Sequence, residues 1–559
     1  MHFVPNPEQA KVIAAPAGAR LVVDGGPGTG KTATAAARAI ALIEAGIPPR
    51  NLCLISFTRA AVGEMRRRLS FLAGPEPVLP LVTTLDSFAW ALRDGELDGD
   101  RPVVENYDAA IAETLSRLTE GDAHIAGRLT GLDHLIIDET QDLVGARAQL
   151  VIAIAGALRR QAGLTILTDE AQAIYGFAGK GLTANFAAET VAQHFVEQSH
   201  PFTLYELTAL HRTDVKKLTR LFRGARRQAL AMPGDPRRKL ARMQRRIARH
   251  GLGFAKKAEP ELILYRSRAE VLHASRAWMR AGKPHRLRLS GLPILSASWL
   301  ALVLHDFAYD GLRQETFYAL WRERIGTDGA DKAWAALAGD RSIVSLSKLK
   351  KALGETEPPL ALCTFDPGAE GAPILGTIHA SKGREADTVR LMLPRDPARR
   401  TGRDDPDSEA RVLFVGATRA KRHLSTGKGM ALGARRLKSG RAFIPGKNTA
   451  EIEIGRPGDF IWSSEPGAAL ATARHGAPIE LRYDGTTLTA LLDGQPLGSA
   501  SPSFLKDLRE VRGAVSPGFG AFAATFEDIF LLDLGTLVVD GHFGLIPIFL
   551  SLTKISFKY

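Results

Sequence analysis

Short apolar runs alternate with helix-periodic stretches through two long regions of the chain. In the first, Leu21-Val22-Val23, Leu52-Cys53-Leu54-Ile55, Leu135-Ile136-Ile137 and Leu164-Thr165-Ile166-Leu167 have the near-continuous apolar character of strands buried on both faces of a parallel sheet. A helix is expected from about Thr32 to Ala45, stopped by Gly46 with Pro48 and Pro49 just beyond. The second region repeats the style with Leu262-Ile263-Leu264-Tyr265, Ile374-Leu375-Gly376-Thr377 and Val389-Arg390-Leu391-Met392-Leu393. Two α/β lobes follow from that alternation. Between Leu292 and Leu362 the pattern is mainly helical, which predicts an inserted helical subdomain. After about Lys438 it changes again. Ile479–Tyr483 and Leu488–Leu491, flanked by Asp484-Gly485 and Asp493-Gly494, predict short strands with tight turns in a mostly β tail.

Length and composition agree with several domains. A chain of 559 residues is too long for one ordinary domain, and 45% hydrophobic with 24% charged residues is a usual globular balance. Cys53 and Cys363 are too few and too far apart for a disulfide framework or a cysteine-rich metal site, which suits a reducing cytoplasm, the expected location. The opening MHFVPNPEQ has no signal-peptide pattern, and Asp533, Asp540 and His542 interrupt the apolar C-terminal run, so no membrane association is expected. The net charge of +13 is unevenly spread. Sixteen Lys and Arg against two acids fall between His211 and Lys257, leaving the rest nearly neutral. Such a concentration suits a polyanion, although a solvated helical face reads the same way from charge alone.

Chemistry is concentrated near the N-terminus. Gly25-Gly26-Pro27-Gly28-Thr29-Gly30-Lys31-Thr32 fits G-x-x-x-x-G-K-[ST] between a strand and a helix. Glycines there let backbone N–H groups curl around phosphate oxygens, with the helix N-terminus adding partial positive charge. Lys31 would reach the β- and γ-phosphates of ATP, and the Thr32 hydroxyl would ligate Mg²⁺. A carboxylate is needed at the end of a neighbouring strand, and Leu135-Ile136-Ile137-Asp138-Glu139 supplies two. Asp138 would hold Mg²⁺ through its water shell, and Glu139 could orient and deprotonate the attacking water.

The acids continue as Asp138-Glu139-Thr140-Gln141-Asp142, which resembles motif II of the UvrD/Rep/PcrA-type superfamily 1 DNA helicases. Other segments resemble that family's motifs in the family's order. They are Asn6-Pro7-Glu8-Gln9, Ile55–Ala61, Thr83–Phe88, Asp169–Phe177, Leu210–Thr213, Thr377–Glu385 and Val415–Lys421. The resemblance spans roughly residues 6 to 424 and implies two RecA-like P-loop lobes with parallel sheets and small helical insertions, while the strand-and-turn pattern after Lys438 adds a C-terminal mostly β domain. Resemblance and pattern together place a first lobe at 1–200 with a short insertion at about 91–130, and a second lobe at 201–290 and 366–438. The helical insertion then occupies 291–365 and the β domain 439–559.

The same resemblance implies roles. Gln9 would read the adenine edge, Gln172 would sense the γ-phosphate, and Glu385 would lie on the ribose side. Arg212 and Arg419, both in the second lobe, would reach the γ-phosphate across a cleft. Phe57, Thr58, Tyr175, Phe177 and His379 fall at DNA-contacting positions, and aromatic platforms there would stack bases of any sequence. Arg242, Arg245 and Arg249 share a helical spacing that would present charge to the DNA backbone. The implied activity is that of a 3′→5′ helicase acting on single-stranded and forked DNA. The alternative is a DNA-dependent ATPase subunit of a repair or anti-phage complex, working with a partner nuclease and docking through the C-terminal domain. Departures from the pattern are Ala33 for an arginine, His211 for a tyrosine, Asp86 for a histidine, Arg59 for an asparagine and Phe177 for a tryptophan. The first two normally sandwich adenine.

Overall fold

The computed structural model describes residues 3–73, 78–94, 107–174, 191–197, 202–231, 235–251, 261–292, 295–354, 359–364, 366–395, 405–462, 468–516, 523–539 and 541–558. The chain divides into two compact units. The first combines Met1–Lys257, Lys382–Thr388 and Asp396–Thr426; the second combines Ala258–Ser381, Val389–Arg395 and Gly427–Tyr559.

The first unit is built on six parallel strands. These are β1 (Arg20–Gly25), β2 (Leu52–Ser56), β3 (Leu81–Thr84), β4 (His134–Ile137), β5 (Gly163–Thr168) and β6 (Phe202–Leu207). They lie in the order β3-β2-β4-β5-β1-β6. Apolar side chains from both faces of the sheet enter two cores. Val22, Ile55, Leu135 and Ile166 contribute to one, and Leu21, Leu54, Ile136 and Leu167 to the other. Cys53 is fully buried in the first of these cores, where desolvation pushes its thiol up, as expected of a small hydrophobe.

Helix α1 (Pro7–Ile13) starts with a capping box, in which the Asn6 side chain accepts from Gln9 N while Gln9 Oε1 accepts from Asn6 N. Its C-terminal carbonyls are collected by the fully buried Arg38, which donates to Val12 O at 2.7 Å, Ala15 O at 3.0 Å and Pro16 O at 3.2 Å. Arg38 sits on α2 (Lys31–Glu44) and also reaches Thr165 Oγ1 at 2.9 Å, so one guanidinium joins α1, α2 and β5. Gly46 follows α2 with φ of 102°, the left-handed turn expected of it.

Thr165 also carries His134. Nε2 of His134 lies 2.9 Å from Thr165 Oγ1, and Nδ1 lies 2.7 Å from Ala17 O. Burial, helped by the Arg38 charge, lowers its pKa from 6.5 to about 4, so the folded ring is neutral. Unfolding therefore takes up a proton between those two values. The contribution is complete above pH 6.5 and is lost as pH falls towards 4, at a limiting slope of about 1.4 kcal/mol per pH unit. His134→Gln should lose less melting temperature than wild type between pH 7 and pH 5. Equal losses would assign the acid sensitivity elsewhere.

A layer of three helices completes this unit. Lys216–Leu230, Pro236–Gly251 and Pro406–Ala417 pack on one another. Their inward faces bury Leu221, Phe222, Met243, Ile247, Val412 and Leu413. This arrangement differs from the lobe boundary expected near residue 200. Strand β6, assigned by the sequence reading to the second lobe, pairs with β1 from Arg20↔Phe202 to Gly25↔Leu207. The two helices after β6 then bury their apolar faces against Pro406–Ala417, which draws that later segment into the first unit.

In the second unit, Leu262–Tyr265 pairs in parallel with both Ile374–Thr377 and the strand containing Val389–Leu391. The expected helical insertion has helices at Trp299–Leu304, Gln314–Arg324, Ala330–Ala338 and Leu346–Gly354. It also has short strands the sequence reading did not foresee, at Leu295–Ala297, Gly311–Arg313 and Ile343–Ser345. The tail is mostly strand. Glu480–Tyr483 and Leu488–Leu492 form an antiparallel pair at the expected place, while Thr449–Ile454 and Ser551–Lys558 form another. Leu304, Phe317 and Trp334 of the insertion share one core with Ile452, Phe504 and Phe543 of the tail. No helix among the described residues is long and apolar enough to cross a membrane.

Candidate nucleotide site

Strands β1, β4 and β5 end at one edge of the sheet, where ligands of open parallel sheets bind. The loop leaving β1 turns through Gly28 at φ 78° and Gly30 at φ 85°. Only glycine takes this path freely, and space is as restrictive as angle. A Cβ on Gly28 would come within 2.4 Å of Arg212 Cβ, and one on Gly30 within 2.5 Å of Gln9 Nε2. Thr29 Oγ1 closes the turn onto Gly26 O at 2.9 Å. Pro27 lies between these turning residues. The Lys31 ammonium folds back onto the loop, 2.7 Å from Gly25 O and 3.5 Å from Gly26 O.

Thr32 Oγ1 donates to Asp138 Oδ2 at 2.8 Å, joining the start of α2 to the end of β4. Asp138 is buried, and desolvation, followed by the Glu139 charge, pushes it up to about 6. Glu139 has φ of 57° and is held by the Gln141 amide. Burial raises its pKa, but Lys31 and then Lys382 outweigh that, keeping Glu139 below the ordinary range and ionised. A buried acid pair beside a hydroxyl is a set of hard oxygen donors, and Thr32 and Asp138 fit Mg²⁺. Such an ion would supply positive charge to phosphate oxygens.

Gln172, in the short turn after β5, donates to Asp169 Oδ2 at 2.6 Å and accepts from Arg419 Nη2 at 3.1 Å. Arg419 is fully buried and lies just beyond the helix Pro406–Ala417. It also donates to Val415 O at 2.9 Å and Arg384 O at 3.3 Å. Desolvation, and then the neighbouring Arg212, lower its pKa to about 9, so it stays charged at neutral pH. Arg212 donates to Thr418 O at 2.7 Å and pairs with Glu385. Among the described residues its Nε is buried with no hydrogen-bond partner, 3.2 Å from where a Gly28 Cβ would stand. A phosphate oxygen in the loop would satisfy that donor.

Lys31, Thr32, Asp138, Glu139, Gln172, Arg212, Glu385 and Arg419 thus lie in one compact unit. The sequence reading instead put both arginines in an opposite lobe. Strand β6 joins the first sheet, and the three-helix layer meets this unit at the turn Glu170–Gln172. Gln9 is engaged by its neighbours in this structure. It is only 1% exposed, its Oε1 is taken by Asn6 N, and its Nε2 donates to Thr29 O at 3.0 Å. It braces the loop and would have to release that carbonyl to read a base edge. His211 rests against Asn6 at 3.0 Å, and Ala33 is buried in α2. Asp86 pairs with Arg147 at 2.8 Å, a structural use of one of the family departures.

Among the expected DNA contacts, Phe57 is half-buried and packs against the core of the first unit. Thr58 is exposed, and its Oγ1 accepts from Ala61 N at 3.2 Å. His379 is half-buried in the turn His379–Ser381 of the second unit. Tyr175 and Phe177 lie outside the described residues. Arg242, Arg245 and Arg249 share the exposed face of Pro236–Gly251, opposite Leu240, Met243 and Ile247. Sequence reasoning missed Lys382, which pairs with Asp142 and donates to Gln172 O at 2.7 Å. It also missed the inward-facing Arg226. No local pattern signals either contact, since the partners stand 240 and 57 positions apart.

Residues 5–98 match the family model described as the UvrD/REP helicase N-terminal domain. A Bacillus subtilis (strain 168) protein described as the ATP-dependent DNA helicase YjcD is 42% identical over 73 residues, 13% of this chain. That match spans only 10% of the relative's length. Among solved structures, the Pif1 helicase from Candida albicans is similar over 76% of this chain and 95% of that one, at 13% identity and a TM-score of 0.38. A Pif1 helicase from Bacteroides, in complex with ADP-AlF3 and ssDNA, covers 77% and 94%, at 14% identity and a TM-score of 0.34. These two backbone likenesses are loose. The stretch matched by that family model contributes α1, the glycine-rich loop after β1, and β2.

Proposed function

We propose that this protein hydrolyses ATP with Mg²⁺ to translocate 3′→5′ along single-stranded DNA and unwind duplex. The observation that carries the reading is the orphaned Arg212 Nε over Gly28, in the unit that also joins Thr32 to Asp138 and Gln172 to Arg419. Two guanidinium groups beside a phosphate loop would stabilise charge on a transferring phosphoryl group, and ionised Glu139 would accept a proton from the attacking water. The 3′→5′ direction rests on the resemblance of Asp169–Phe177 to motif III of that helicase branch. Base stacking by Phe57, Tyr175 and Phe177 and DNA contact by Thr58 and His379 belong to the same reading, as does adenine-edge recognition by Gln9, whose amide would first release Thr29 O.

The purified chain should unwind forked and 3′-tailed duplexes in the presence of ATP and Mg²⁺. Unwinding only of 5′-tailed duplex would reverse the polarity. Hydrolysis without unwinding would favour an ATPase subunit that needs a partner nuclease for a repair or defence role. Absence of DNA-stimulated hydrolysis would overturn the reading.

The exposed face of Pro236–Gly251 supports a backbone contact for the same DNA. Replacing Arg242, Arg245 and Arg249 with Gln keeps helix propensity similar while removing charge. Each lost phosphate contact should flatten the log–log salt dependence of DNA affinity by about 0.7–0.9. Sequence preference should stay constant, because phosphate contacts carry none directly. Identical slopes for variant and wild type would return the face to solvated surface.

A further inference from the structure

Arg226 belongs to the basic stretch by sequence, yet its side chain is mostly buried and reaches the carboxylates beside the nucleotide site. Nη2 lies 2.8 and 2.7 Å from the two carboxylate oxygens of Asp24, and Nε lies 3.3 Å from Asp169 Oδ1. Asp24 immediately precedes Gly25, and Asp169 immediately follows β5, the strand paired with β1. Two like charges at adjacent strand ends would repel without the guanidinium between them. The aspartate charges outweigh desolvation and keep Arg226 firmly protonated. Gly26 makes room for this arm, since a Cβ there would stand 3.0 Å from Arg226 Cδ.

The arrangement reaches further in both directions. The second oxygen of Asp169 holds Gln172 Nε2 at 2.6 Å, and Gln172 in turn accepts from Arg419. Arg226 thus shares Asp169 Oδ1 with the Ala171 amide, which donates at 3.2 Å, and helps orient the carboxylate that holds Gln172. In the other direction, Arg226 is carried by Lys216–Leu230, whose outward face exposes Lys216, Arg220, Arg223 and Arg227. A rotation or shift of that helix would move the Arg226 fork relative to Asp24 and Asp169 together.

We propose that Arg226 is a positioning residue that holds Asp169 and Gln172 in register and makes turnover respond to DNA backbone bound on the outward face of its helix. The proposal rests on the nucleotide-hydrolysis reading above and adds to it a path from the polyanion surface to the site. Its test uses the full chain, ATP and a thymidine oligonucleotide. Arg226→Gln should lower kcat at saturating oligonucleotide by about tenfold or more, the scale of losing one charge-assisted contact. KM for ATP and the affinity for a fluorescent ADP should stay within about threefold, because no phosphate contact is removed. Arg226→Lys should recover only part of kcat, since an ammonium cannot span both carboxylates as the planar fork does. If Arg226→Gln fails to fold, Asp24→Asn supplies the test, weakening one side of the clamp isosterically. It should reduce stimulation by the oligonucleotide by several-fold at unchanged KM. Parallel losses of kcat, ADP affinity and melting temperature would make the clamp an ordinary structural ion pair and overturn the proposal, as would unchanged stimulation in both variants. Wild-type protein that hydrolyses no ATP would instead defeat the nucleotide reading itself.

Discussion

Glu139→Gln should reduce DNA-stimulated ATP turnover by about 10³-fold while leaving nucleotide affinity nearly unchanged. Glutamine matches the shape of glutamate but cannot accept the proton, and a positioned general base contributes about 10²–10⁴ in rate. The backbone at 139 sits at φ of 57°, and glutamine meets the same steric penalty there as glutamate, so the exchange isolates chemistry from conformation. Asp138, the partner for Thr32, is untouched. Lys31→Ala should behave differently, losing affinity as well as turnover, because it removes a donor from the phosphate cradle itself. Nucleotide titration beside steady-state turnover separates the two. Wild-type turnover in Glu139→Gln would remove Glu139 from the reaction.

Arg419→Lys should lower kcat by about 10²–10³ with little change in nucleotide affinity. Arginines that stabilise a transferring phosphoryl group contribute about 10³–10⁵ in rate. The lysine keeps a charge but cannot simultaneously reach Val415 O, Arg384 O and Gln172 Oε1, which the guanidinium spans. Lysine is also the more informative exchange. Alanine would leave several buried acceptors without a donor at once and reduce stability as well as rate. A kcat equal to wild type in a folded Arg419→Lys protein would exclude the arginine from the transition state.

Much of the first sheet was legible because four of its strands are short apolar runs buried on both faces. Edge strand β6 was harder, since Phe202–Leu207 leaves Thr203, Leu204 and Glu206 exposed without alternation and is buried fully only at Leu207. Its pairing with β1 joins residues far apart in sequence and decides where the following helices go. The loop residues 25–32 and the acids 138 and 139 could be read locally, since one strand–turn–helix motif and one strand end specify them. Arg226 could not, because its neighbours in sequence are solvated cations and only the fold turns it inward. Gln9 shows the reverse case, a residue whose motif suggests a base reader and whose two amide ends are already occupied.

The interleaving of Met1–Lys257 with Lys382–Thr388 and Asp396–Thr426 has a consequence for synthesis on the ribosome. The helices Lys216–Leu230 and Pro236–Gly251 emerge long before Pro406–Ala417, the segment that covers Leu221, Phe222, Met243 and Ile247. At about 5–20 residues per second, the interval is roughly ten to thirty seconds, during which that greasy seam is open to chaperones or to misassembly. The phosphate loop exists early in translation, but Arg419 arrives only with the closing helix. The nascent chain can thus carry a cradle for nucleotide well before it carries the group that would spend it.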